Sequence, residues 1–160
     1  MSDAQAPEKA SIIVMSGDMD KVMGAFIIAS GAAAFDLQVS MFFTFWGLKA
    51  IQKGNRTGKG LMGKMLGVMN RGGIDRLGPS KLNMGGMGRW MFKKMMKKHN
   101  VNSLPVLLKQ AQELGVKLTA CEMSMNVMEI KKEDLIDGVQ IGGVASFIAD
   151  ASESKFSLFI

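Results

Sequence analysis

The chain of 160 residues contains one cysteine, one histidine and no tyrosine. A single cysteine excludes an internal disulfide framework and a cysteine-built zinc cage, and a single histidine removes multi-histidine metal designs. With no cysteine pair to indicate a redox compartment, the cytosol is the simplest expectation. Long apolar runs are lacking too. The longest uncharged apolar stretch, Val22 to Phe35, covers 14 residues, short of the roughly 20 that cross a bilayer as a helix. The opening MSDAQAPEKA is polar and carries no apolar h-region, so no secretory signal is expected.

Acid is scarce in one part of the chain. The whole carries 20 Lys/Arg and 14 Asp/Glu, a net charge of +6. Between Lys49 and Asn100 stand thirteen Lys/Arg against one acid, Asp75, while the remainder carries seven against thirteen. An acidic body therefore bears one strongly basic segment, which also holds 11 of the 19 glycines and 8 of the 16 methionines. Such asymmetry points to an anionic partner or surface for that part of the chain.

With 48% apolar and 21% charged residues, the chain reads as a globular domain with a sizeable core, not a disordered tail or a coiled coil. Residues 1–160 are expected to form one domain with a loose tail over 1–9. Ala10–Ser16 (ASIIVMS) reads as a strand buried on both faces, and about 20–35 as a helix. Leu37–Phe45 (LQVSMFFTF) reads as a second strand, completing a right-handed βαβ unit. A short helical piece (LKAIQ) precedes the basic, glycine- and methionine-rich insertion over about 53–99. The rhythm resumes with a helix over Ser103–Leu114, Ser103 at its N-cap, and a strand over Val116–Cys121. A short helix near Met123–Met128, a strand at Val139–Ile141, a helix over Gly142–Ser152 and a strand over Lys155–Ile160 follow. Five strands alternating with helices imply an α/β fold, a flavodoxin-like three-layer domain with a five-stranded, mainly parallel sheet. The pattern leaves strand order open. Chemistry in such sheets collects at the carboxyl ends of the strands, where Ser16–Asp20, Thr44–Gly47 and Cys121 fall.

Cys121 is the sharpest candidate. A thiol between a strand and a helix start lies near unpaired amides that favour thiolate. Such a thiolate can attack sulfane sulfur and hold it as a persulfide with no metal or organic cofactor. Position alone leaves this open against a small buried hydrophobe. Gly17, Asp18, Phe45, Trp46, Met123 and Ser124 are the candidate pocket around the thiol.

Three stretches in order carry a family resemblance: SGDMDK (Ser16–Lys21), FFTFWG (Phe42–Gly47) and the strand ending in CEMS (Cys121–Ser124). Over roughly residues 10–160 the chain resembles the DsrE/DsrF/DsrH-like family, in particular its larger DsrE-type members, often labelled peroxiredoxin-like. The resemblance implies an α/β homo-oligomer that relays sulfur through a cysteine persulfide, with a TusA-type carrier or a rhodanese-like donor as partner. Only Cys121 carries over as a functional position. The long insertion departs from the small relay subunits of the family.

The insertion holds two amphipathic stretches. On a helix, Leu61, Met62, Met65, Leu66, Val68 and Met69 share a face opposite Lys64. Met91, Phe92, Met95 and Met96 form an arc against Lys93, Lys94, Lys97 and Lys98. Gly63 and Gly67 each cost about 1 kcal/mol in a helix interior, so the first stretch is expected to need a partner. The apolar faces are expected to bury against the body or a neighbouring subunit. Lys64, Arg89, Lys93, Lys94, Lys97 and Lys98 are the candidate docking surface, for a peripheral contact with an anionic membrane or an acidic partner.

Weaker signals remain. The pairs Gly72-Gly73 and Gly85-Gly86 lack a phosphate-loop context, and the aspartates of SGDMDK would repel phosphate. His99 reads as a solvated helix end, and Glu129, Glu133, Asp134 and Asp137 as an exposed acidic edge. Nucleic acid is disfavoured because the basic segment does not interleave aromatics. Sulfur relay at Cys121 therefore competes with a non-enzymatic adaptor that docks through the insertion, and more weakly with a nucleotide- or flavin-binding domain.

Overall fold

The computed structural model describes residues 7–160. Residues 1–6 of the expected tail lie outside the described residues, and Lys9 already belongs to the first strand. Five strands form one sheet: β1 (Lys9–Val14), β2 (Gln38–Phe43), β3 (Lys117–Cys121), β4 (Gln140–Gly142) and β5 (Ser154–Phe159). Every pairing is parallel, in the order β4-β3-β2-β1-β5. The three-layer α/β class expected from the sequence is present, and the order left open is now defined. The chain steps outward from β1 to β4, then returns to place β5 on the other side of β1.

Alternation along the strands divides the core. Ala10, Ile12 and Val14 of β1, Val39, Met41 and Phe43 of β2, and Leu118 and Ala120 of β3 belong to one large core cluster. That cluster includes Val22, Phe26 and Ala29 of α1 (Met19–Ala34) and Leu104, Leu107, Leu108 and Ala111 of α4 (Leu104–Glu113). The Phe26 and Phe43 rings lie 6.1 Å apart. Burying each fully is worth about 1.5–3 kcal/mol, so this face carries most of the stabilisation. The other face is thinner. There Phe42, Cys121 and Phe147 make a second cluster, with Phe147 supplied by α6 (Val144–Ser152). Lower on that face lie Ser11, Ser40 and Ser154, whose hydroxyls hydrogen-bond one another.

Between β2 and α4 run a 3-10 turn (Phe45–Ile51) and two further helices, α2 (Leu61–Met69) and α3 (Met87–Lys98). α2 forms where the apolar repeat places it, but of the two expected partners for its apolar face the body is not the one, because the face turns away from the rest of the chain. Gly63 and Gly67 are buried, whereas Leu61, Met62, Val68 and Met69 are exposed. A Cβ at Gly67 would run into the Thr57 carbonyl, and one at Gly63 into the Glu129 carboxylate. The glycines are thus the packing surface of the helix and not merely a tax on its propensity. α3 behaves alike, burying Gly88 and Met96 and leaving Met87, Met91, Phe92 and Met95 exposed. His99 closes α3 as an exposed C-cap.

Candidate functional site

Parallel pairing sets the site. Phe43 of β2 lies opposite Ala120 of β3, so the next residues, Thr44 and Cys121, emerge side by side at the carboxyl edge of the sheet. Cys121 ends β3 and is the N-cap of α5 (Glu122–Val127). The Thr44 and Ser124 hydroxyls are 2.7 Å apart. Ser124 is fully buried, and Glu122 in the same turn is exposed. Burial pushes the Cys121 thiol up. Hydrogen bonds from the Ser124 hydroxyl and amide, the Thr44 hydroxyl and the Met123 amide outweigh that and hold it below the usual thiol range. With α5 only six residues long, these local donors matter more than a helix dipole.

Cys121 is 4% exposed and packs with Phe42 and Phe147, whose ring centroids are 5.6 Å apart. The thiol therefore lies under aromatic cover. The candidate pocket residues divide accordingly. Ser124 and Met123 adjoin the thiol, Ser124 by side chain and amide and Met123 by amide, with its own side chain half exposed. Gly17, Asp18 and Trp46 instead line an open cavity of about 330 Å³ with Met15, Phe159 and Ile160. Phe45 takes a left-handed φ of 44° at the start of the 3-10 turn. Gly17 is held against that turn, where a Cβ would lie 2.6 Å from the Trp46 carbonyl oxygen. Thr44 opens the Thr44–Gly47 stretch expected at this edge but is not among the expected pocket residues, and Phe147 is not expected here at all. The parallel register signals the first, and nothing local signals the second.

The SGDMDK loop is occupied by the fold itself. The Ser16 hydroxyl donates to the Asp18 carboxylate (2.9 Å), and the Met19 amide to the Gly78 carbonyl (2.8 Å). The Asp20 carboxylate accepts the amide and hydroxyl of Ser80, each at 2.7 Å. The α1 terminus thus faces aspartates and protein donors, which does not favour the nucleotide reading. No group of three or more His, Cys, Asp or Glu among the described residues is arranged to hold a metal ion.

The candidate docking cations also divide. Arg89 donates to the Arg76 carbonyl (2.6 Å), and Lys93 pairs with Asp75 (2.7 Å). Both are only partly exposed and fasten α3. Lys64, Lys97 and Lys98 are exposed with no acidic partner among the described residues, and Lys94 sits 5.2 Å from the Trp90 ring centre. The acidic edge meets the basic segment within the same chain. The Glu129 carboxylate accepts the Lys59 and Gly60 amides at the start of α2, which hold it below its ordinary value, and Asp137 pairs with Lys53 at 3.6 Å. Lys49, half-buried, hydrogen-bonds Asn70, and burial lowers its pKa while Asp18 opposes the shift.

Sheet and site together define a parallel α/β protein built around a single hydrogen-bonded thiol at a strand end. The chain belongs to the DsrE/DsrF/DrsH-like family, whose model matches residues 6–159. It is 47% identical over 155 residues to the uncharacterized protein YrkE of Bacillus subtilis, covering 96% of this chain and 97% of that one. It is 36% identical over 157 residues to the sulfur carrier protein DsrE2 of Allochromatium vinosum, covering 96% and 98%. Among solved structures, the ychN protein from E. coli matches with a TM-score of 0.55 at 14% identity over 96% of this chain and 99% of that one. MTH1491 from Methanobacterium thermoautotrophicum matches with a TM-score of 0.53 at 10% identity, covering 94% and 98%. The two structures establish likeness of fold.

Proposed function

We propose that this protein is a sulfur-relay component that carries sulfane sulfur on Cys121. The observation that carries the reading is a lone thiol at a strand end, held below the usual thiol range by its neighbours Ser124, Thr44 and Met123, in a chain 36% identical to a protein named a sulfur carrier. In loading, the Cys121 thiolate attacks the outer sulfur of a donor persulfide. The donor S–S bond breaks, a Cys121 S–S bond forms, and the donor leaves as thiolate. In unloading, an acceptor thiolate attacks the same outer sulfur and Cys121 departs as thiolate. Neither exchange is a net redox step, and neither needs a cofactor. Because Cys121 is the chain's single thiol, no resolving cysteine competes within the subunit, and the sulfur must pass to another molecule. A TusA-type carrier or a rhodanese-like donor is the partner chemistry this reading calls for, in the cytosol. The half-exposed Val144, Ile148 and Phe159 at the α6–β5 edge supply an apolar face for a homo-oligomer.

The reduced protein incubated with inorganic polysulfide should gain about 32 Da, the mass of one sulfur held as a persulfide. Cys121→Ser should gain nothing. Gain by both proteins or by neither removes the carrier reading.

A further inference from the structure

The basic segment turns its small residues inward and its large apolar ones outward. α2 seats on the body through Gly63 and Gly67, leaving Leu61 89%, Met62 73% and Met69 79% exposed. Beside α3, Leu82, Met84, Met87, Met91, Phe92 and Met95 line an open groove of about 410 Å³. Both helices crown the same end of the sheet. α2 leans on Glu129, which follows α5, and on a small cavity walled by Trp46 and Met128. α3 closes a cavity against Met19 and Leu104, the first residues of α1 and α4. In a parallel α/β fold, the starts of these helices lie at the carboxyl ends of the strands, where Cys121 sits.

What covers this surface must be both apolar and anionic. Its exposed cations without an acidic partner include Lys64, Lys81, Lys94, Lys97 and Lys98, and the acids nearby are spoken for: Lys93 holds Asp75 and Ser80 holds Asp20. A second copy laid face to face would set these unpaired lysines against their like. The apolar side chains protrude from two separate helices, most are flexible methionines, and exposed Trp90 stands beside Lys94. Protruding apolar groups with interfacial aromatic and basic neighbours suit the headgroup boundary of a bilayer. No helix among the described residues is long and apolar enough to cross a membrane. We propose that α2 and α3 form a peripheral docking face for anionic phospholipid, holding the thiol-bearing end of the sheet toward the membrane. This goes beyond the sulfur-relay reading and stands or falls without it.

The full chain should co-sediment with vesicles of phosphatidylcholine and phosphatidylglycerol at low salt, release at high salt, and ignore pure phosphatidylcholine. Leu61→Glu with Met69→Glu, both on exposed positions, should abolish binding. Lys64→Gln with Lys98→Gln should weaken partitioning about thirtyfold, from roughly 1 kcal/mol per cation at an anionic surface. Circular dichroism should leave both variants as folded as the parent. The proposal is overturned by no binding, by equal binding to neutral vesicles, or by folded variants that bind like the parent. A lower sedimenting mass of the glutamate variant without lipid would instead assign the face to a second copy, and salt-sensitive binding to an acidic protein but not to vesicles would assign it to a protein partner.

Discussion

Ser124 matters because it is fully buried and reaches Cys121 with both its hydroxyl and its amide. Replacing it by alanine keeps the amide and removes one donor to the thiolate. The thiol pKa should rise, so the rate of alkylation by iodoacetamide should reach its midpoint at a higher pH than in the parent. An unchanged profile would mean the hydroxyl serves only Thr44. The sign follows from the direction of the shift: donors favour the charged form, and losing one moves titration toward alkali. Cys121 itself was legible in the sequence, as a lone thiol between a β-prone run and a short helix. Thr44 was half legible, since parallel pairing of β2 with β3 places the residue after FF beside the residue after TA. Phe147 was not, because its contact with Cys121 depends on α6 folding across a sheet whose strand order the hydrophobic pattern does not encode.

At the scale of elements, β1, β2, β3, α1 and α4 form within a few residues of their sequence-based positions, because strands buried on both faces and helices with a marked start announce themselves locally. The side on which α2 packs did not. Periodicity identifies an apolar face but is silent about whether that face meets the body, and here the glycine edge does. Gly67→Ala separates the two readings by sign. A free helix would gain about 1 kcal/mol from the added methyl. Packed against the Thr57 carbonyl, the same methyl forces a shift of backbone that should cost about 1–3 kcal/mol. Limited proteolysis should therefore cut the 57–69 region faster in the alanine variant, and slower cutting would return α2 to solvent on all sides.

Across the whole molecule the charge is divided by position. The acids that follow α5 do not stand apart from the basic segment, because Glu129 and Asp137 bind its Lys59, Gly60 and Lys53. Exposed ion pairs of this kind contribute little individually, so they orient the segment more than they stabilise the fold. At the α6–β5 edge, Val144, Ile148 and Phe159 stand open beside a terminal strand. If copies of the chain assemble there, Ile148→Asp should lower the sedimenting mass without altering far-UV circular dichroism. A parent that sediments as a monomer would remove that edge from the account.

The aromatic cover over the thiol has a consequence for the life of the protein between exchanges. An acidified thiolate in open water is the form that peroxide converts to sulfenic and then irreversible sulfinic acid. Enclosed by Phe42 and Phe147, the sulfur meets a small oxidant only in the fraction of time that the cover lifts. On the proposed sulfur-relay role, the same enclosure would keep a stored outer sulfur from being stripped by passing low-molecular-weight thiols. Shelter and reactivity are thus set by different residues, the phenylalanines governing how often the sulfur is seen and the hydroxyls governing what it does then.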